Sequence, residues 1–271
     1  MPENAPSPPD PAPPITLERG ADGVALLTLN RPPLNLFTLT MTRAFDARLR
    51  EVAADPSIRA LVLTGAGERA FGAGSDIREF PDYLRAGTVI SGKLRFENEV
   101  FNRLEDLPQP TIAALRGVAL GGGLEIALCC DFRVGADDLR LGSPEVKLGV
   151  YPGSGGLLRL PRLVGEARAK ELLYLGDFIG ADTALHWGLL HRKVPAAEVV
   201  PAALALAGEL ARRPAAAVRI MKRGLRELAG RPRDEAVEAS FGLSETVFAT
   251  ADAREGVAAF FGKRAPRFRH G

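Results

Sequence analysis

Only two cysteines occur in the chain, Cys129 and Cys130, and they are adjacent. Neighbouring residues cannot staple distant segments together, so a structural disulfide framework is excluded and two small buried hydrophobes are expected. Histidine is nearly as scarce. His186, His191 and His270 fall late in the chain without metal-ligand spacing, which argues against a zinc site. An excess of charge of one sign is also missing: 35 Lys and Arg face 33 Asp and Glu, and the arginines are scattered. Such a balance gives no reason to expect a nucleic-acid partner. No apolar run approaches the ~20 residues that span a bilayer, so no membrane partner is expected. The opening stretch "MPENAPSPPDPAPP" lacks the apolar core of a secretion signal and the basic amphipathic character of an import segment. It reads as a disordered or extended Pro-rich arm over residues 1–14, and the protein as cytoplasmic.

What is present is an ordinary globular composition, 46% apolar and 25% charged over 271 residues. That suits one large domain, or one domain with a smaller appendage. Strands are expected at Ile15–Arg19 and Val24–Asn30 around a Gly23 turn, then at Ile58–Thr64, Thr111–Leu115, Gly117–Leu120 and Phe132–Ala136. Between them, Met41, Phe45, Leu49 and Val52 repeat at helical spacing behind a Thr40 or Thr42 cap. Lys93–Leu107 is amphipathic and stopped by Pro108 and Pro110, and another helix opens at Gly121. Beyond Pro195 only helices are expected, at Val199–Ala211, Pro214–Leu228, Asp234–Thr250 and Ala253–Phe261. The fold class is α/β with a helical C-terminal segment.

Two glycine runs carry the chemistry, "AFGAGSDI" (Ala70–Ile77) and "LGGGLE" (Leu120–Glu125). Each lies at or just after a strand, and the second opens a helix, whose first N–H groups are unpaired and lie at the positive end of the helix dipole. Glycine there lets a ligand reach bare backbone. Two such amides would hold an oxyanion developing on a carbonyl, which is typically the largest catalytic contribution. The plainer reading, tight strand-to-helix packing, competes for either run alone. "TGAGERA" (Thr64–Ala70) fits a dinucleotide fingerprint, but more loop comes after it where that site needs a helix. Neither Ser75 nor Ser154 sits in a nucleophile elbow.

Glu125 stands in the first turn after the glycines, and Glu145 in the turn-rich "LGSPEVKLGVYPGSGG". Either alone reads as a solvated or capping carboxylate. Together they would serve water addition beside a carbonyl, one taking a proton from water and one protonating carbon. Crowded together, the two could not both ionise freely, and one pKa would rise.

The two glycine runs, "SPEVKLGVYPGSGGLLRLPRLVG", "ALHWGLLHRKVP" and "EGVAAFFGKRAPRF" together resemble the crotonase, or enoyl-CoA hydratase/isomerase, superfamily, over about Ile15 to Phe268. The resemblance implies a crotonase-like spiral of β-β-α turns over 15–198 and a C-terminal helical trimerisation region over 199–271. It implies a homotrimer or a dimer of trimers, acyl-CoA thioesters as substrates, and no cofactor beyond the CoA the substrate carries. By motif, the backbone amides of Ser75 and Gly122 would form the oxyanion hole. Glu125 would act as base toward water and Glu145 would protonate the α-carbon, with the Gly153 amide holding the water. CoA would lie along Ala73, Ser75, Asp76, Ile77 and Arg78, with Phe260 and Lys263 reaching it across a subunit boundary. Possession of both glutamates points to a hydratase rather than a double-bond isomerase or a non-catalytic binding relative. Three features depart from the family's common pattern. "NRPPLNLF" lacks a basic residue between its proline and asparagine, Ser143 replaces a glutamine before Pro-Glu, and Tyr151 replaces an aliphatic residue beside the pocket.

Overall fold

The apolar alternation on either side of Gly23 folds into an antiparallel pair, β1 (Ile15–Arg19) and β2 (Val24–Leu29), with Gly23 at φ 82°. The structure, a computed structural model, describes residues 12–20 and 22–270. The expected Pro-rich arm therefore lies outside the described residues except for its last three, whose carbonyls accept from Arg31 and Asn30 at 2.8–3.0 Å. Helix α1 (Leu39–Ala54) follows. Its cap is Thr38 rather than Thr40 or Thr42, because the Thr38 hydroxyl accepts from the Met41 amide at 3.2 Å. Met41, Phe45, Leu49 and Val52 are all buried on its inner face. Each such side chain contributes about 1.5–3 kcal/mol of transfer free energy.

From there the chain winds by a repeating turn. β3 (Ala60–Gly65) joins β2 in a large sheet and β4 (Ala70–Gly72) starts a small one, before α2 (Phe80–Ala86) and α3 (Arg95–Glu105). The next turn adds β5 (Thr111–Leu115) to the large sheet, β6 (Val118–Leu120) to the small one, then α4 (Gly122–Cys129). A third adds β7 (Phe132–Ala136) and β8 (Arg140–Gly142), a 3-10 turn at Pro144–Leu148, α5 (Gly156–Val164) and α6 (Glu166–Leu175). β9 (Phe178–Gly180) closes the small sheet antiparallel to β8; after α7 (Ala181–His186), β10 (Arg192–Val194) closes the large one. The sheet orders are β1-β2-β3-β5-β7-β10 and β4-β6-β8-β9. Apart from the antiparallel edge strands β1 and β9, every neighbouring pair is parallel, as strands joined by crossover connections require. This is the expected spiral of β-β-α turns. No helix opens between β3 and β4, so the Thr64–Ala70 glycines serve a strand-to-strand corner.

Four helices end the chain: α8 (Val199–Ala211), α9 (Ala215–Glu227), α10 (Arg233–Phe248) and α11 (Ala251–Phe261). Helix α8 lies across β2, β3, β5 and β7, and Val199, Ala203, Leu206, Ala207 and Ala211 complete the central core. Flanked by β2 and β5 and crossed by α8, β3 is buried along its whole length, as its unbroken apolar run requires. Helix α10, by contrast, buries no residue in this chain. Cys129 and Cys130 are buried free thiols.

Candidate active site

β4, β6 and β8 are parallel neighbours, so their C-terminal ends lie side by side. Each of these strands leads into a segment that bears glycine or an acid: Ala73–Ser75 after β4, Gly121–Gly122 after β6, and Ser143–Glu145 after β8. Groups far apart in the chain thus meet at the carboxyl edge of one small sheet, the usual place for a site in parallel α/β architecture.

Phe37 runs beside Ser75 as an isolated bridge; its N–H donates to Gly74 O and its carbonyl accepts from Asp76 N, both at 2.9 Å. Because a parallel bridge uses the residues on either side, the Ser75 amide is left over. It has no acceptor among the described residues, and neither has the Gly122 amide at the first position of α4. The two are neighbours. A methyl on Gly122 would stand 3.7 Å from the Ser75 nitrogen, and one on Gly74 would stand 3.5 Å from the Gly122 nitrogen. Gly121 sits at φ 52°, ψ −125°, a conformation that side chains exclude, and a methyl there would come within 2.9 Å of Glu145 Oε1. The third glycine answers to the plainer reading: a Cβ on Gly123 would overlap the Gly72 carbonyl. One run therefore does two jobs, exposing an amide and letting α4 seat on β4.

Glu125 comes one turn into α4 and is only 4% exposed. Its Oε1 accepts from the Ser154 and Gly156 amides, each at 2.8 Å, leaving Oε2 without a protein donor among the described residues. Burial pushes its pKa up to about 8, against those two amides; the nearby negative charges of Glu145 and Glu97 add to the rise. Glu145, half-buried on the 3-10 turn, accepts from the Ser143 hydroxyl at 2.8 Å. Burial raises its pKa too, while its own backbone amide and Ser143 pull the other way. Ser143, which stands where the family often has glutamine, thus hydrogen-bonds Glu145 directly. Burial thus raises the pKa of both carboxyls, Glu125 on the helix that the glycine run opens and Glu145 beside Gly121 of that run.

The remaining expected residues divide. The Gly153 amide has no acceptor among the described residues, and its carbonyl accepts from Asn98 at 2.8 Å. The Ala73 amide donates to Leu34 O, so it is already committed. Arg78 projects into solvent, with 81% of its side chain exposed, yet its guanidinium grips Asp76 at 2.6–2.8 Å and holds that carboxyl below its usual range. Ile77 and Tyr151 are both exposed. Phe260 and Lys263 are not brought to this edge within one chain: α11 packs on α10, and Phe260 is 78% exposed. Their expected route to the site runs through a neighbouring subunit.

Sequence reasoning missed the support under Glu125. Ser154 and Gly156 share the "PGSGG" run with Gly153, and that crowding of small residues is the only signal that could have found them. It also missed Glu97 and Lys93, an i, i+4 pair that reads as a solvated ion pair. Both side chains are in fact buried, 2.8 Å apart.

Compared with known proteins, residues 19–271 match the family model described as "Enoyl-CoA hydratase/isomerase". A protein of Syntrophomonas wolfei named "Crotonyl-CoA hydratase" is 38% identical over 255 residues, covering 94% of this chain and 97% of that protein. The "Short-chain-enoyl-CoA hydratase" of Clostridium acetobutylicum is 38% identical over 245 residues, covering 89% and 92%. The crystal structure of an enoyl-CoA hydratase from Bacillus anthracis superposes with a TM-score of 0.88 at 34% identity, covering 95% of this chain and all of that one.

Proposed function

Because this chain belongs to the enoyl-CoA hydratase/isomerase family of the crotonase superfamily, we propose that it is a cytoplasmic enoyl-CoA hydratase. It adds water reversibly across the 2,3 double bond of an enoyl-CoA thioester, giving a 3-hydroxyacyl-CoA. The thioester oxygen lies between the Ser75 and Gly122 amides. Glu125, as carboxylate, takes a proton from a water held near the Gly153 amide while the water oxygen attacks C3. The double-bond electrons move into the thioester, and the enolate charge rests on the two amides. Glu145, as carboxylic acid, then gives its proton to C2, and proton exchange with solvent restores the pair.

The observation that carries this reading is the pairing of two pKa-raised carboxyls with two vacant amides at one sheet edge. CoA lies along Ala73–Arg78, where Arg78 and Ile77 face solvent. The chain assembles as a homotrimer or a dimer of trimers through α9–α11. Support comes from the apolar side chains those helices expose, among them Leu225, Phe241, Phe248, Val257 and Phe261. Phe260 and Lys263 then meet the CoA bound by the neighbouring copy. The relatives' names make crotonyl-CoA the first substrate to test. In an acyl-CoA panel read by mass, hydration appears as the gain of one water. Glu125→Ala should lower that turnover by roughly 10²–10⁴-fold, the usual worth of a general base. A double-bond isomerase working through Glu145 would keep most of its rate in that variant, and this result would replace the hydratase reading.

A further inference from the structure

Lys93 is among the most buried side chains of the protein, with no exposed surface, on a π-helical turn at Ile90–Leu94 just before α3. π turns inside helices cluster at functional sites, because they cost hydrogen-bond geometry. Its ammonium touches three groups. It lies 2.8 Å from Glu97 Oε1, 3.3 Å from Glu79 Oε2 and 3.5 Å from the carbonyl of Phe37. That carbonyl is the one that accepts from Asp76 N and so fixes the strand whose Ser75 amide is left free. On the other side, Glu97 Oε2 accepts from the Ser154 hydroxyl at 3.0 Å, and the Ser154 amide donates to Glu125. Glu97 Oε1 has the Lys93 charge and no hydrogen-bond partner among the described residues.

A continuous path therefore runs from the oxyanion strand through Phe37, Lys93, Glu97 and Ser154 to Glu125. Stability alone is a poor reason for it, since a buried ion pair gains little over apolar residues of the same size. We propose that Lys93 and Glu97 are positioning residues, a buried strut that holds the Ser75 amide and the Glu125 carboxyl at a fixed separation. The inference rests on the reading of those two groups as the working parts of a hydratase. A strut matters there because a displacement of about 1 Å between reacting groups can cost 10²-fold in rate. The loop is braced from elsewhere as well: Asn98 holds Gly153 O at 2.8 Å and Arg159 holds Ser154 O at 3.2 Å. The strut is the member of this set that reaches the oxyanion side.

The charged and titratable groups around Glu125 are Glu145 on the 3-10 turn, Glu97 on α3, Arg159 on α5 and the Cys129 thiol on α4. Removing the Glu97 charge should therefore make Glu125 easier to ionise. The test compares wild type with Glu97→Gln, Ser154→Ala, Ser154→Thr and the double variant Lys93→Met/Glu97→Leu. The double variant leaves no unpaired charge in the fully buried position, so it remains informative where Lys93→Met alone fails to fold. Infrared difference spectra against pH follow ionisation of Glu125, identified by loss of its band in Glu125→Gln. Steady-state hydration of crotonyl-CoA gives kcat and KM. The expected results are a downward move of the Glu125 midpoint by about half a pH unit in Glu97→Gln and an upward move in Ser154→Ala. In Ser154→Ala and the double variant kcat should fall about tenfold with KM within about twofold. Ser154→Thr, which keeps the hydroxyl, should retain the wild-type rate. A folded double variant with the wild-type midpoint and wild-type kcat would overturn the strut. The infrared titration needs no turnover. A wild type that hydrated no enoyl-CoA would thus defeat the proposed function, while the Glu125 midpoints would still decide the strut.

Discussion

Replacing Glu125 by glutamine should stabilise the fold at alkaline pH and leave it unchanged in acid. The carboxyl binds its proton with a pKa of about 8 in the folded protein, against an ordinary 4.5. Between those two values the native state holds a proton that the unfolded state has released, so stability falls as pH rises. Below 4.5 both states are protonated, and above about 8 both are ionised, so the curve is flat outside that window. At about 1.4 kcal/mol per pH unit, the whole interval is on the order of 5 kcal/mol of stability lost on the way to pH 8. Glutamine keeps an oxygen for the Ser154 and Gly156 amides and never ionises, so its profile lacks the loss. Urea unfolding of both proteins from about pH 4 to about pH 9, at one fixed protein concentration, reads the difference directly. The two stabilities should coincide near the acid end and diverge steadily up to about pH 8. Parallel curves would show that Glu125 ionises in the fold as it does in water, and that burial does not govern the site.

Two further outcomes rest on the same geometry. Gly121→Ala should cut turnover and lower stability, because its φ of 52° resists a side chain and its methyl would press on the Glu145 carboxyl; Gly123→Ala should prevent folding, because its methyl would strike the Gly72 backbone. Activity and circular dichroism on the two variants separate these effects. The pH profile of kcat/KM should rise toward about pH 8 as Glu125 ionises; a profile flat across that range would remove Glu125 as the base.

The elements with strong periodicity were legible in the chain itself. β3 reads as a buried run, the face of α1 as a four-residue repeat, and the glycines before Glu125 as a helix mouth. The ordered motifs together carried the family resemblance. Of the five three-residue strands, β6 was legible as an apolar run between Gly117 and Gly121, whereas β4, β8, β9 and β10 have no such bounds and no period to detect. The alanines and leucines of α8 state only that it is apolar; that it packs across β2, β3, β5 and β7 was not legible.

Local sequence, then, determined which groups exist: two glycine runs, two glutamates after strands, and a lysine four residues before a glutamate. Only the tertiary structure decided which of them meet. Parallel strands of one sheet end at the same edge whatever the chain length between them, and that edge gathers Ser75, Gly122, Glu125 and Glu145. Burial is likewise a property of the packed whole. The spacing of Lys93 and Glu97 would be the same on a solvated helix, and only the elements packed around α3 remove their water and join them to the Ser154 loop.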